Sequence, residues 1–137
     1  METKKSKFDP SHTLVFLQKT DKEYVKFKDK FSKHGLAFKH ARYIFFDVPE
    51  LKKSGYYTKE HLTFIEAHEV AHSVLRHTKT SKYTEAEADF LAVLLCDDAG
   101  FNKSARLGKR EFSSRNGISF NAFQKKHQDS VLKKIKR

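Results

Sequence analysis

A chain of 137 residues can bury a modest hydrophobic core, enough for a single domain. Lysine and arginine total 28 against 17 aspartate and glutamate, a formal net charge of +11. That sign favours acidic partners such as nucleic acid through a basic surface, an anionic membrane or an acidic protein, and is equally met by a solvated basic surface. One cysteine, Cys96, excludes an internal disulfide and fits a reducing compartment, and two prolines and five glycines leave little room for flexible linkers.

Residues 1–11 are polar and charged and read as a loose tail. The apolar run 14–17 that follows is too short for a signal peptide or a membrane span. No other run approaches spanning length, so a protein without membrane segments, residing in the cytoplasm, is expected. Residues 13–18 are apolar and partly β-branched, the pattern of a strand. Thr20-Asp21-Lys22-Glu23 is a capping-box pattern that starts a helix near Asp21. Tyr24, Phe27 and Phe31 give this helix an apolar stripe, and Gly35 stops it. Within 36–48, Tyr43-Ile44-Phe45-Phe46 is strongly strand-like, and Pro49 ends it. This strand is the candidate for a sheet edge along which an extended substrate could pair. Residues 52–57, with Gly55, read as a polar turn.

A helix is then expected from Thr58, its N-cap, fading over 77–80, with Leu62, Ile65, Val70, Val74 and Leu75 as its apolar side. A second helix is expected over 84–98, with Ala88, Leu91, Ala92, Leu94 and Leu95 inward and Gly100 as its stop. Cys96 belongs to its apolar run and reads as a small buried hydrophobe. Two further helices are expected, at about 103–115 and from the Ser119 cap onward, with a turn at Asn116-Gly117 and a frayed end at 133–137. Such a pair with Gly in its turn could form a helix-turn-helix, with Arg106, Lys109, Arg110, Arg115, Lys125 and Lys126 as phosphate contacts.

The chemistry lies in His68-Glu69-Val70-Ala71-His72. Side chains four apart share a helix face, so His68 and His72 can offer ring nitrogens to one metal ion. Zinc accepts two imidazoles and a carboxylate and keeps a position for water, whose pKa it lowers to about 7. Glu69, one step round the helix, would act as general base on that water and pass the proton to a leaving amine. Acidic residues of the next helix, Glu85, Glu87 and Asp89, offer the third ligand. Glu85 and Asp89 share a face, so one can bind the metal while the other orients a ligand histidine. At a helix N-terminus they are also ordinary dipole partners, and Thr84-x-x-Glu87 could be a capping box. Leu75 and Thr78 occupy the positions where the metzincin pattern requires Gly and His. His77 follows His72 too closely to reach the same ion and reads as a surface or supporting group. No histidine between His77 and His127 could serve as a more distant third ligand.

The run Phe64-Ile65-Glu66-Ala67-His68-Glu69-Val70-Ala71-His72-Ser73-Val74-Leu75-Arg76-His77 resembles the active-site helix of the ImmA/IrrE family of metallopeptidases. Glu85-Ala86-Glu87-Ala88-Asp89-Phe90-Leu91-Ala92-Val93-Leu94-Leu95 resembles that family's second motif. The likeness covers about residues 59–95. Cys96-Asp97 stands where the family commonly has Pro after the Leu pair. The resemblance implies a gluzincin arrangement, with zinc held by His68, His72 and Glu85 and with Asp89 in support. It also implies cleavage of a protein substrate, such as a helix-turn-helix repressor of a mobile element or stress response. The expectation is thus a small single-domain α+β zincin, a short sheet packed on the active-site helix with helices after it. A basic nucleic-acid-associated protein with a structural zinc site, or a non-cutting adaptor, would carry the same motif. Tyr83, Arg76 and His77 are the nearby candidates for a second donor to a carbonyl oxygen.

Overall fold

The computed structural model describes residues 1–135, so the last two positions of the expected frayed end lie outside the described residues. The fold is α+β, with strands β1 (Glu2–Lys5), β2 (Thr13–Leu17), β3 (Ala37–His40) and β4 (Tyr43–Asp47). Its helices are α1 (Lys22–His34), α2 (Val48–Ser54), α3 (Lys59–Val74), α4 (Lys82–Asp98), α5 (Asn102–Asn116) and α6 (Phe120–Ile135). The chain divides into two compact units, Met1–Glu66 and Ala67–Arg137, with the boundary inside α3. Among the described residues no helix is long and apolar enough to cross a membrane.

The first unit is built on a mixed sheet of order β1-β2-β4-β3. β1 is antiparallel to β2, β2 parallel to β4, and β3 antiparallel to β4. Alternation along the strands gives each face its own core. Val15 and Leu17 are buried with Phe38 and Phe31 of α1, and Tyr24, Phe27 and Phe45 pack against them. On the opposite face, Phe16 stacks on Phe46 with ring centroids 4.8 Å apart. Asp47 ties the end of β4 to two helices, accepting from Tyr24 Oη at 3.0 Å and from Glu50 N at 3.2 Å.

Several expectations are corrected here. The first residues are not a loose tail: Glu2–Lys5 form β1, and Glu66 Oε2 accepts from Ser6 Oγ at 2.7 Å and from Lys7 N at 2.8 Å. Residues 36–48 hold two strands joined by a tight turn in which Ala41 takes φ 53°. β4 lies between β2 and β3, so its backbone is already paired on both sides and it cannot be a substrate edge; the edges are β1 and β3. Pro49 ends the strand by opening α2, where its missing N–H costs nothing. Residues 52–54 are therefore helical, and Gly55 closes the helix at φ 80°. Helix α1 starts after Asp21 as expected, but without the capping box, because Asp21 Oδ2 accepts from Gln18 N at 2.7 Å.

In the second unit, α4, α5 and α6 follow one another through short connections. Their core is aromatic: Phe90, Phe112, Phe120 and Phe123 are buried with centroid separations of 5.3–5.6 Å. Cys96 is fully buried, as its apolar setting predicts. Gly117 ends α5 in the left-handed region, and Ser119 Oγ accepts from Ala122 N at the start of α6. α6 continues to Ile135, so residues 133–135 of the expected frayed end are helical.

Candidate metal centre

Thr58 Oγ1 accepts from His61 N at 3.2 Å and opens α3 as the sequence predicts. The helix is not one-sided, however. Phe64, Ala67, Val70 and Ala71 are buried, whereas Leu62, Ile65 and Val74 of the expected stripe are only half-buried. A helix enclosed over most of its circumference shows weak amphipathic periodicity, which explains the misplaced stripe.

His68 and His72, one turn apart, bring their Nε2 atoms to 3.1 Å, with the rings nearly perpendicular at 87°. Glu85, in the first turn of α4, places Oε2 2.7 Å from His72 Nε2 and 3.7 Å from His68 Nε2. Tetrahedral zinc with ligand bonds of about 2.0–2.1 Å sets its ligand atoms roughly 3.3 Å apart. The observed separations of 3.1, 2.7 and 3.7 Å straddle that value. Glu69 Oε2 stands farther off, 3.9 Å from His68 Nε2. His68, Glu69 and His72 can each bring one ligand atom within 4.8 Å of the others. Glu85 nevertheless makes the closer third corner, and Glu69 flanks the cluster.

Each histidine has its own support. Asp89, one turn after Glu85, places Oδ1 2.8 Å from His68 Nδ1. Arg115 Nη2 lies 3.2 Å from the same oxygen, and Asn116 Nδ2 donates to Oδ2 at 3.0 Å. On the other side, His72 Nδ1 lies 2.9 Å from His77 Nδ1, and His77 Nε2 lies 2.9 Å from Glu87 Oε1. Lys134 Nζ donates to Glu87 Oε2. His77 reaches this place because α3 ends early, at Val74, and Arg76 takes φ 58°. That left-handed turn costs about 1–2 kcal/mol in a non-glycine residue. It folds the chain back so that His77 N donates to His72 O at 3.0 Å.

The electrostatics favour a positive charge at the cluster. Burial opposes protonation of His68, but hydrogen bonds to Asp89 and Glu85 overcome it and raise its pKa to about 10. Burial pushes the Glu85 carboxyl up, yet His68 and His72 more than offset this and hold it well below the usual carboxylate range. Burial likewise acts upward on Asp89 and is outweighed by His68, Arg115 and Asn116. His77 is lowered by burial, which Glu87 only partly counters. Zinc takes two imidazole nitrogens and an ionised carboxylate, so the residues present fit that ion with the proton of His68 released on binding.

Of the residues singled out in the sequence, His68, His72 and Glu85 converge, Glu69 lies beside them and Asp89 meets His68. Glu87 does not join them: it is fully buried against His77 and Lys134. Nor does it cap α4, whose capping box is made by Ser81 and Thr84. His77 is engaged at both ring nitrogens, which removes it as a donor to a carbonyl oxygen, and Tyr83 Oη lies 3.4 Å from His127 Nδ1. Arg115, expected as a phosphate contact, pairs with Asp89. Asn116 and Lys134 carried no sequence signal for these roles, since Lys134 is 47 positions from Glu87. The chain matches no protein-family model, no curated protein and no solved structure.

Proposed function

We propose that this chain is a zinc-dependent endopeptidase of the gluzincin type, with His68, His72 and Glu85 as ligands and Glu69 as general base. The observation that carries the reading is the convergence of His68 Nε2, His72 Nε2 and Glu85 Oε2 within 2.7–3.7 Å of one another. Zinc bound there would supply Lewis acidity toward a substrate carbonyl. The chain's own residues supply the rest. Asp89 holds His68 with its Nε2 turned to the cluster. Glu69 takes the proton of the attacking water and returns it to the leaving amine.

An open site also supports a catalytic rather than a structural role. Structural zinc is closed by four protein ligands, whereas catalytic zinc keeps a position for water or substrate. Here three side chains converge, and the Glu85 side chain remains 43% exposed. The resemblance to the ImmA/IrrE family points to a protein substrate, such as a helix-turn-helix repressor, and to the zincin-like arrangement of sheet and active-site helix. The free thiol of Cys96 suits a cytoplasmic setting.

The test is zinc content measured together with cleavage of candidate repressors by wild type and Glu69→Gln. One zinc per chain in both proteins, with cutting reduced about 10²–10⁴-fold in the variant, is the expected result. Absence of zinc from both would overturn the ligand set, and unimpaired cutting by Glu69→Gln would overturn the general base.

A further inference from the structure

We infer that His77 is a positioning residue: backed by Glu87 and Lys134, it dictates which ring nitrogen of His72 faces the metal. The inference rests on the proposed ligand set and extends it to residues that touch neither metal nor substrate.

The argument follows hydrogens along one chain of contacts. Lys134 has only donors and a carboxylate only acceptors. Lys134 Nζ occupies Glu87 Oε2, leaving Oε1 to accept from His77 Nε2 at 2.9 Å. A neutral imidazole carries one N–H. With that hydrogen on Nε2, His77 Nδ1 presents a lone pair. It faces His72 Nδ1 at 2.9 Å, so His72 must supply the hydrogen between them. With its Nδ1 hydrogen committed to His77, His72 turns Nε2 to the cluster, 3.1 Å from His68 Nε2 and 2.7 Å from Glu85 Oε2, where a bound metal would take the Nε2 lone pair. With the His77 hydrogen moved to Nδ1, its Nε2 lone pair would face the Glu87 Oε1 lone pairs at 2.9 Å.

The two ligand histidines are thus held by different acceptors, His68 by a carboxylate and His72 by a ring nitrogen. The acids of α4 divide the work: Glu85 faces the cluster, Asp89 holds His68, and Glu87 holds His72 through His77. Glu87 is fully buried, so its two acceptor bonds are shielded from competing water.

The experiment combines nitrogen-15 NMR of the histidine rings with zinc competition titrations on the full chain. In the metal-free wild type, His77 is expected as the Nε2–H tautomer, and finding it as Nδ1–H would overturn the relay whatever the chain binds. His77→Phe, shown to be folded by circular dichroism, is expected to bind zinc about 10–100-fold more weakly. His77→Gln, which can both accept and donate, is expected to recover part of that loss. An unchanged affinity in His77→Phe would overturn the positioning role. A wild type that binds no zinc would instead overturn the ligand set, and with it the role assigned to His77.

Discussion

Asp89 Oδ1 lies 2.8 Å from His68 Nδ1, although 21 positions separate the two residues. The pair is buried, and Arg115 and Asn116 complete the coordination of the carboxylate. Asp89→Ala is therefore expected to act twice. Loss of the acceptor that orients His68 should weaken zinc binding about 10–100-fold. Breaking a buried charged pair should also cost the metal-free fold on the order of 3 kcal/mol. Competition titration and urea unfolding check the two effects separately, and unchanged zinc affinity would remove Asp89 from the site.

Zinc should stabilise the chain by mass action. At a free concentration about 100-fold above its Kd, the gain is about 2.7 kcal/mol, reversible by a chelator. In Glu85→Ala that gain is expected to collapse, because the third corner is gone. Thermal unfolding with and without zinc reads it directly, and an undiminished shift in the variant would contradict the assignment of Glu85.

His12 gives the first unit a pH dependence. It is fully buried with Nδ1 3.2 Å from Asp9 Oδ2, and burial lowers its pKa below 6.5 despite that neighbour. The unfolded chain then binds the proton more readily than the folded one, so stability rises with pH across the interval between the lowered value and 6.5. Acidification through that interval should destabilise the fold. Asp9 adds in the same direction at lower pH: hydrogen bonds from Ser11 depress its carboxyl below 3.8, and that contribution disappears as the lowered value is crossed. Urea midpoints of wild type and His12→Gln, compared from about pH 7 to about pH 5, are expected to converge on acidification. Parallel curves would show that His12 is not the titrating group.

Two aromatics of β4 separate core from surface. Phe46 is fully buried and stacked on Phe16, so Phe46→Ala should cost about 3–5 kcal/mol. Tyr43, three residues earlier, is 49% exposed, and Tyr43→Ala should stay within about 0.5 kcal/mol. Equal losses in urea unfolding would contradict the register of this strand.

What could be read in the sequence was local. Thr58, Gly35, Gly117 and Ser119 mark helix ends by side-chain or backbone chemistry that acts within four residues, and each marks a helix end here. The two-histidine face needs only the pitch of one helix. β1 left no trace because Glu2-Thr3-Lys4-Lys5 is an exposed edge without apolar alternation. The turn at Ala41 lacks the Gly or Asn that usually announces a left-handed residue. Helix α2 also has a local signature: Asp47-Val48-Pro49-Glu50 is a helix start, in which Pro49 both stops the strand and opens the helix. The central place of β4 and the reach of Lys134 to Glu87 depend on tertiary packing, which no local pattern encodes.

The parallel pairing of β2 with β4 bears on the order in which structure forms. Thr13 meets Tyr43 only after the whole of α1 and β3 has been threaded between them. Closing that loop costs chain entropy before any strand contact repays it, and such non-local pairings slow folding. Helices α4 and α5 are consecutive in the chain and pack on each other across a short connection, so their pairing closes no such loop. During refolding from urea, amides of α4 and α5 are therefore expected to gain protection from exchange before those of β2 and β4. The helix that carries Glu85 and Asp89 would then be in place while the sheet is still unformed.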